Sequence, residues 1–292
     1  MSRKPSRTPE VLDLISRYGV LSTRVLLMLT NHEIGSRWMR QILNELDHRQ
    51  LICRASSSLD GRPVDFWMLT KNGFSQSRVC NITGNLHEEL RFKSAKYTHF
   101  PHENLCTIFQ CSLERELPSI KIFREATGSF KEIPQSVLSH RLRSIGYAPD
   151  IVLKLPNTSK WVAVEIDRSY RTLKRLSQRV NMYTRHSGFD ALLYLMPKSK
   201  MTDSLISVFN SRGANEAMRI RGSKNTFLAT ALTPKCIFNI DEYKVQVSKK
   251  TIPLTTWLSI IALTNQDKRD ACFEQISSHM EEINFGLRNV VS

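Results

Sequence analysis

The sequence predicts a two-domain α/β protein of the α+β type, with a helix-rich first module and a mixed second module. Two observations predict this class. The chain has 292 residues, which is about the length of two ordinary domains. Apolar residues follow a helical period up to residue 46, whereas strand-like runs and helical runs alternate after residue 100.

The composition is that of a globular protein with a large basic surplus. Hydrophobic residues make up 41% of the chain, and no apolar run approaches the roughly 18 residues of a membrane span. No secretory signal is evident, so we expect a cytoplasmic protein. The formal charge of +15 favours a polyanionic partner, because lysines and arginines that neutralise phosphates release counterions. We expect nucleic acid; the alternative is a basic protein without such a partner.

Three short helices are predicted first. Thr8 suits the cap of the first helix, and Gly19 suits its end. A second helix is expected to open at Ser22. A third is predicted from about Ser36, with apolar residues at Trp38, Met39, Ile42, Leu43 and Leu46.

An extended pair follows the third helix. Strands are predicted from Ile52 and over Val64–Leu69, with a turn at Leu59–Pro63. Three helices and a hairpin are the order of a winged helix. The segment from Phe66 to Gly73 resembles the "aromatic, x, x, Leu-Thr-x-x-Gly" ending of many winged-helix proteins. We therefore expect a winged-helix DNA-binding domain over residues 8–75 and a connection over residues 76–101.

The third helix of a winged helix enters the major groove of duplex DNA. Polar positions on this helix offer hydrogen-bond donors to phosphates and base edges, and Arg62 is expected on the wing beside the DNA backbone. The alternative is a solvated face or a protein contact. The candidate DNA-binding residues of the helix are Ser36, Arg37, Arg40, Gln41 and Asn44.

The second domain is predicted over residues 102–292. A helix is expected over His102–Leu117 and another over about Ser169–Arg185, between two strands that we expect to be parallel. A further helix and strand, a buried apolar segment and a polar C-terminal helix are predicted over 204–209, 226–232, 254–263 and 266–287. The other strands are predicted over 120–123, 151–155, 161–166 and 191–196.

Three carboxylates are the candidate catalytic centre of this domain. Asp150 begins one strand, and Glu165 and Asp167 lie two residues apart on the next, so both point to the same face. Hard oxygen ligands of this kind suit Mg²⁺ or Mn²⁺, which can polarise a phosphate or activate water. We predict a metal site formed by Asp150, Glu165 and Asp167.

The pattern resembles the PD-(D/E)xK nucleases, in which Pro-Asp and an acidic-x-Lys triplet lie on adjacent strands. Here Pro149-Asp150 is followed by a Glu-x-Asp triplet, and the expected lysine is replaced by Asp167. The cation must then come from elsewhere, and Lys174 and Arg179 on the next helix are the candidates.

That helix carries a basic row without a compensating acid. From Arg168 to Phe189 the chain has no Asp or Glu, and arginines recur at helical spacing on one face. A charge run is usually a solvated face, but this one follows the carboxylates, so we expect it to contact DNA. The candidate contacts are Arg168, Arg171 and Arg175.

Pro149-Asp150, the run from Val164 to Arg168, and the segment from Arg179 to Tyr183 together resemble the replication-relaxation proteins, over roughly residues 8–200. This family pairs a winged helix with a nuclease-like domain and includes the MOB-C plasmid mobilisation relaxases. Arg179 stands where the family often has a lysine. The resemblance implies DNA processing at an origin of transfer or replication.

The leading hypothesis is a metal-dependent DNA nickase or relaxase of a mobile element, which acts on double-stranded DNA. One alternative is a non-catalytic replication or transcription regulator with a decayed nuclease fold, which the missing lysine favours. Another is an accessory subunit that recruits a second mobilisation or replication protein. A covalent tyrosine at Tyr170 or Tyr183 is set against the metal-assisted mechanism.

Overall fold

The computed structural model describes residues 7–30, 33–59, 62–77, 100–124, 129–140, 146, 148–166, 174–175, 178–179, 182–183, 188–197, 227–232, 244–247, 250–263 and 271. The fold is mixed α/β, with helices and two sheets, as the sequence predicts. The chain divides into two compact units, one of residues 1–111 and 124–130, the other of residues 112–123 and 131–292. None of the helices in the described ranges is long and apolar enough to cross a membrane.

The first unit begins with three short helices, close to their predicted positions. Gly19 ends the first helix with a φ of 89°, and the Ser22 hydroxyl caps the second by accepting the Val25 N–H at 3.3 Å. The prediction that Thr8 caps the first helix is wrong. Thr8 is already helical, and Arg7 holds the cap position without a side-chain bond. The helices are α1 (Thr8–Tyr18), α2 (Thr23–Leu29) and α3 (Ser36–His48).

A three-stranded antiparallel sheet completes this set of elements. Its strands are β1 (Leu21–Ser22), β2 (Ile52–Leu59) and β3 (Arg62–Leu69), in the order β1-β3-β2. The predicted turn at Leu59–Pro63 is shorter than expected, because β2 and β3 pair as far as Leu59 and Arg62. Phe66 of β3 is buried in the core with Ala55 of β2.

A further short helix, α4 (Lys71–Gln76), follows β3 and was not predicted. The Thr70 hydroxyl caps it by accepting the Gly73 N–H at 3.1 Å. Gly73 packs so closely on the Leu51 carbonyl that a Cβ atom would overlap it. The glycine of the Leu-Thr-x-x-Gly ending is therefore required by a close backbone approach.

Helix α5 (Phe100–Glu116) begins two residues before its predicted start at His102. The division between the units falls within it, at residues 111 and 112. In the first unit, side chains of α5 contact Arg124, whose own side chain is 2% exposed. The Arg124 guanidinium donates to Thr107 Oγ1 at 3.0 Å, Gln110 Oε1 at 3.1 Å and Glu103 Oε2 at 2.7 Å. A polar network around a buried arginine, with a partly exposed carboxylate, thus fixes this part of the helix.

The second unit is built on a seven-stranded sheet in the order β10-β9-β8-β7-β6-β5-β4. The predicted parallel pairing of β6 with β7 is confirmed, whereas β5 pairs antiparallel with β6. Every residue of β6 is buried, as expected of a strand covered on both faces. The strands are β4 (Lys121–Arg124), β5 (Ile151–Lys154), β6 (Trp161–Ile166), β7 (Ala191–Pro197), β8 (Phe227–Leu232), β9 (Lys244–Val247) and β10 (Lys250–Pro253).

Helices of the second unit are described in part. Residues 174–175, 178–179 and 182–183 are helical, within the helix predicted over Ser169–Arg185. Helix α6 (Leu254–Ala262) confirms the predicted buried apolar segment, since Trp257, Leu258 and Ile261 are buried. The helix predicted over 204–209, most of the C-terminal helix over 266–287, and residues 78–99 of the predicted connection lie outside the described residues.

Candidate nucleic-acid interface and carboxylate site

Helix α3 separates its side chains into a buried and an exposed face. Met39, Ile42, Leu43 and Leu46 are buried, because they recur at helical spacing. The polar residues predicted to contact DNA all lie on the exposed side: Ser36, Arg37, Arg40, Gln41 and Asn44. Between Ser36 and Asn44 the helix has no acidic residue. The exposed face from Ser36 to Asn44 therefore offers positive charge and hydrogen-bond donors, and the nearest carboxylates in sequence are those of Glu33 and Glu45.

The β2–β3 hairpin carries a further basic residue. Arg54 of β2 is exposed and pairs with Asp65 of β3 at 3.0 Å, and the Ser56 hydroxyl donates to the same carboxylate at 2.8 Å. Arg62, the predicted wing contact, begins β3, but its side chain lies outside the described residues. Sequence reasoning missed Arg54, although its alternation with half-buried Cys53 and buried Ala55 is a usable signal of outward orientation.

In the second unit, Asp150 and Glu165 stand at the same end of two neighbouring strands. The β5–β6 register pairs Ile151 with Val164, so Asp150 and Glu165 are the next positions along the two strands. The Asp150 carboxylate accepts the Ile166 backbone N–H at 2.7 Å, which fixes it against β6. The structure thus brings together two of the three predicted carboxylates; Asp167 lies outside the described residues.

Glu165 is held by two residues of the following helix. Its side chain is 2% exposed. Arg179 donates from Nε to Oε1 at 2.9 Å and from Nη2 to Oε2 at 2.7 Å, which is a bidentate fork. The Tyr183 hydroxyl donates to Oε1 as well. Both carboxylate oxygens of Glu165 are therefore engaged by side chains of this chain.

Electrostatics favour the charged pair in this buried setting. Burial is the largest single effect and lowers the pKa of the Arg179 guanidinium, but the Glu165 carboxylate and the neighbouring groups together outweigh it, so the net pKa lies above its usual value. Tyr194 and Asp150 also raise it, so Asp150 lies within electrostatic range of Arg179. Burial, followed by the charge of Glu165, raises the pKa of the Tyr183 hydroxyl. Tyr183 is accordingly a neutral donor to Glu165.

The two tyrosines proposed as nucleophiles differ in what the structure describes. Tyr183 is 1% exposed and its hydroxyl is bound to Glu165, an arrangement that favours packing and hydrogen bonding over attack on a phosphate. Tyr170 lies outside the described residues. The sequence offered one signal for the observed role, because Arg179 and Tyr183 are four residues apart and share a helix face.

The basic helix divides the predicted cations into two groups. Arg179 is buried against Glu165, whereas Lys174 and Arg175 are exposed. Of the two candidates for the migrated cation, Arg179 is the one that contacts the carboxylate. Arg168 and Arg171 lie outside the described residues, so their predicted contacts with DNA remain predictions.

A divalent cation does not fit Glu165 as the structure has it. Three hydrogen bonds already occupy its two oxygens, and the Arg179 guanidinium places positive charge where a metal would place its own. Among the described residues, no group of three or more His, Cys, Asp or Glu side chains is positioned to hold a metal ion.

Comparison with protein-family models gives no match for this chain, and comparison with curated proteins gives none either. The resemblance to the replication-relaxation proteins rests on the sequence motifs.

Proposed function

We propose that the protein is a DNA-binding nickase or relaxase that acts at an origin of transfer or replication of a mobile element. The observation that carries this proposal is the placement of Asp150 beside Glu165, with the cation of Arg179 supplied by the next helix. Two carboxylates and a cation at one end of adjacent strands are the set that the PD-(D/E)xK resemblance implies.

The first unit is proposed to bind the DNA as a winged helix. Its element order and the exposed polar face of α3 are those expected for a recognition helix. Arg37 and Arg40 would contact phosphates or guanines, and Gln41 and Asn44 would read base edges. The hairpin of β2 and β3 would lie as a wing beside the backbone.

In the second unit, Arg179 is proposed to contribute transition-state charge stabilisation. Its Nε and Nη2 are bound to Glu165, whereas its Nη1 makes no hydrogen bond to any described residue. A fixed cation with an unused donor can bind a phosphate oxygen as negative charge develops. The metal site predicted at Asp150, Glu165 and Asp167 stays a prediction, because Glu165 could bind Mg²⁺ or Mn²⁺ only after Arg179 had released it.

The test uses supercoiled plasmid that carries the DNA flanking the gene for this chain. The full chain is incubated with Mg²⁺, Mn²⁺ or EDTA, and the open-circular product is measured. We expect nicking with either metal ion, at least 100-fold less for Asp150→Asn or Glu165→Gln, and unchanged duplex binding by both variants. Glu132→Gln, an exposed carboxylate of the same unit, is the matched control. Intact plasmid under all conditions would refute the nickase.

A non-catalytic DNA-binding regulator is the second candidate function. The specific observation in its favour is the closed fork of Arg179 on Glu165, which neutralises a carboxylate that a nuclease needs. This candidate predicts duplex binding through α3, no cleavage, and no effect of Asp150→Asn on any activity. Both candidate functions predict that an Arg37→Gln, Arg40→Gln double variant loses duplex binding. Only the cleavage assay therefore distinguishes them.

A further inference from the structure

A cleft with two lysines lies at the opposite end of β5 and β6 from the carboxylates. It has a volume of about 490 Å³ and is formed by residues of the second unit. Lys121 of β4 and Lys154 of β5 contribute their side chains, Ser119 lies at one edge, and the β5–β6 turn from Pro156 to Ser159 forms the other. No acidic residue lines it.

The two lysines of the cleft keep their charge available. Among the described residues, neither Lys121 nor Lys154 has a carboxylate partner. Asp190, the acid beside this turn, is already engaged, because it accepts the Lys160 ammonium at 2.8 Å and the Trp161 backbone N–H at 2.9 Å. Lys160 is thus paired with Asp190, whereas Lys121 and Lys154 have no carboxylate partner among the described residues.

The cleft is also preorganised. Leu155 and Lys160 close the turn with a backbone hydrogen bond of 3.1 Å, and the Thr158 hydroxyl donates to Leu155 O at 3.2 Å inside it. The Lys154 ammonium lies 5.5 Å from the centre of the Trp161 ring, in cation–π range. A cation that is already fixed loses less entropy when it binds its ligand.

Register relates this cleft to the carboxylate site. Lys154 pairs with Trp161 at one end of the two strands, and Asp150 and Glu165 follow the pairing at the other. Residues 150 and 154 are four positions apart, so they share a face of the sheet at a separation of about 13 Å. That distance equals the axial rise of about four base pairs of B-form DNA.

We infer that this cleft binds a backbone phosphate of the DNA, about 13 Å from the carboxylate site. The inference rests on the proposed function, since it takes the same DNA as ligand. Two unpaired ammonium groups beside hydroxyls suit a phosphodiester, which carries one negative charge and accepts several hydrogen bonds. The cleft would hold the strand in register without reading its sequence.

The test measures duplex binding by the full chain as a function of salt. A labelled duplex from the DNA flanking the gene is used, with a random duplex of equal length. For Lys121→Gln, Lys154→Gln we expect about tenfold weaker binding to both duplexes, and a slope of log K against log salt that is shallower by about 1–2. Lys131→Gln, an exposed lysine of the same unit, should change neither quantity.

Two further measurements make the outcome decisive. Lys121→Glu alters an exposed side chain, so it tests the cleft even if the double variant fails to fold. Unchanged affinity and slope for Lys121→Glu would overturn the inference. Thermal stabilisation of wild type by millimolar inorganic phosphate, lost in the double variant while duplex binding stays intact, would also overturn it in favour of a free-phosphate site. Either result leaves binding through α3 and nicking as separate, still measurable properties.

Discussion

The two units each bury an arginine, and the two arginines are held in opposite ways. Arg124 of the first unit binds three neutral acceptors, on Thr107, Gln110 and the Glu103 backbone carbonyl, and one carboxylate, that of Glu103, whose side chain is 29% exposed. Arg179 of the second unit binds one carboxylate, Glu165, which is 2% exposed. In the first arrangement the carboxylate partner is partly exposed to water, whereas in the second both charged side chains are buried.

The two arginines therefore differ in the free-energy cost of burying each with its carboxylate partner. Burying an ion pair is expensive, and apolar residues of similar volume often stabilise a core better. The Arg124 network limits that cost, because Glu103 stays partly solvated. The Arg179–Glu165 pair has no such solvated partner, so its burial cost is not reduced. Buried charged pairs of this kind are often found at functional sites. We therefore expect the two arginines to respond differently to the same substitutions.

The largest expected effect is on stability. Arg179→Met leaves Glu165 buried without its partner and should lower the free energy of unfolding by about 3–5 kcal/mol. Arg124→Met should cost less, because Glu103 can turn to water. Urea unfolding of both variants checks the order, and adding Glu165→Gln to Arg179→Met should recover most of the loss. Equal costs for the two single variants would break the comparison.

The second prediction concerns the affinity of the protein for Mn²⁺. Removing the guanidinium in Arg179→Gln takes positive charge away from Glu165 and opens its oxygens, so affinity for Mn²⁺ should rise at least tenfold over wild type. The increase in melting temperature with Mn²⁺ concentration measures this affinity. Arg124→Gln is the matched control and should leave the affinity as it is. If the affinity for Mn²⁺ rises in both variants, the net charge of the protein, and not the bidentate bond of Arg179 to Glu165, determines that affinity.

A smaller effect is expected for Tyr183→Phe, which removes one hydrogen bond to a charged group and should cost about 1.5–3 kcal/mol near pH 8. The raised pKa of Tyr183 also predicts a pH effect. Above about pH 10 the unfolded tyrosine ionises while the buried one stays neutral, so the free energy of unfolding falls as pH rises. The variant should show a shallower fall between pH 9 and 11. Parallel curves for wild type and Tyr183→Phe would show that the pKa of Tyr183 is the same in the folded and unfolded states.

The smallest effect is expected in the first unit. Thr107→Val removes one of the acceptors of Arg124, whose other bonds remain, so we expect a loss of about 1 kcal/mol in unfolding free energy. Chemical denaturation measures it. A loss above that of Tyr183→Phe would show that the first network is the more tightly coupled of the two.

Periodic patterns in the sequence predicted much of the architecture. The helices around Ile15 and Leu43 were found because apolar residues recur every three to four positions, and β6 was found because all its residues except Glu165 are apolar. Helix α4 was missed, since six residues with an internal glycine give no period. The early start of α5 at Phe100 was also missed, because Pro101 is more often read as a boundary.

Site chemistry was predicted less fully. The carboxylates Asp150 and Glu165 and the cation Arg179 were found from spacing, and the structure brings these three close together. That both oxygens of Glu165 would be taken by Arg179 and Tyr183 could not be predicted, because rotamers and helix rotation decide it. Arg124 gave no signal at all, since its partners come from a helix 14 to 21 residues away in sequence.

The contact of Gly73 with the Leu51 carbonyl has a consequence for recognising relatives of this chain. No side chain can be added at this position unless the corner between α3 and β2 moves. A sequence that aligns well here but carries alanine or serine at this glycine must therefore connect its third helix to its hairpin by a different path. One residue can thus distinguish shared ancestry of the whole corner from a chance likeness of its helices.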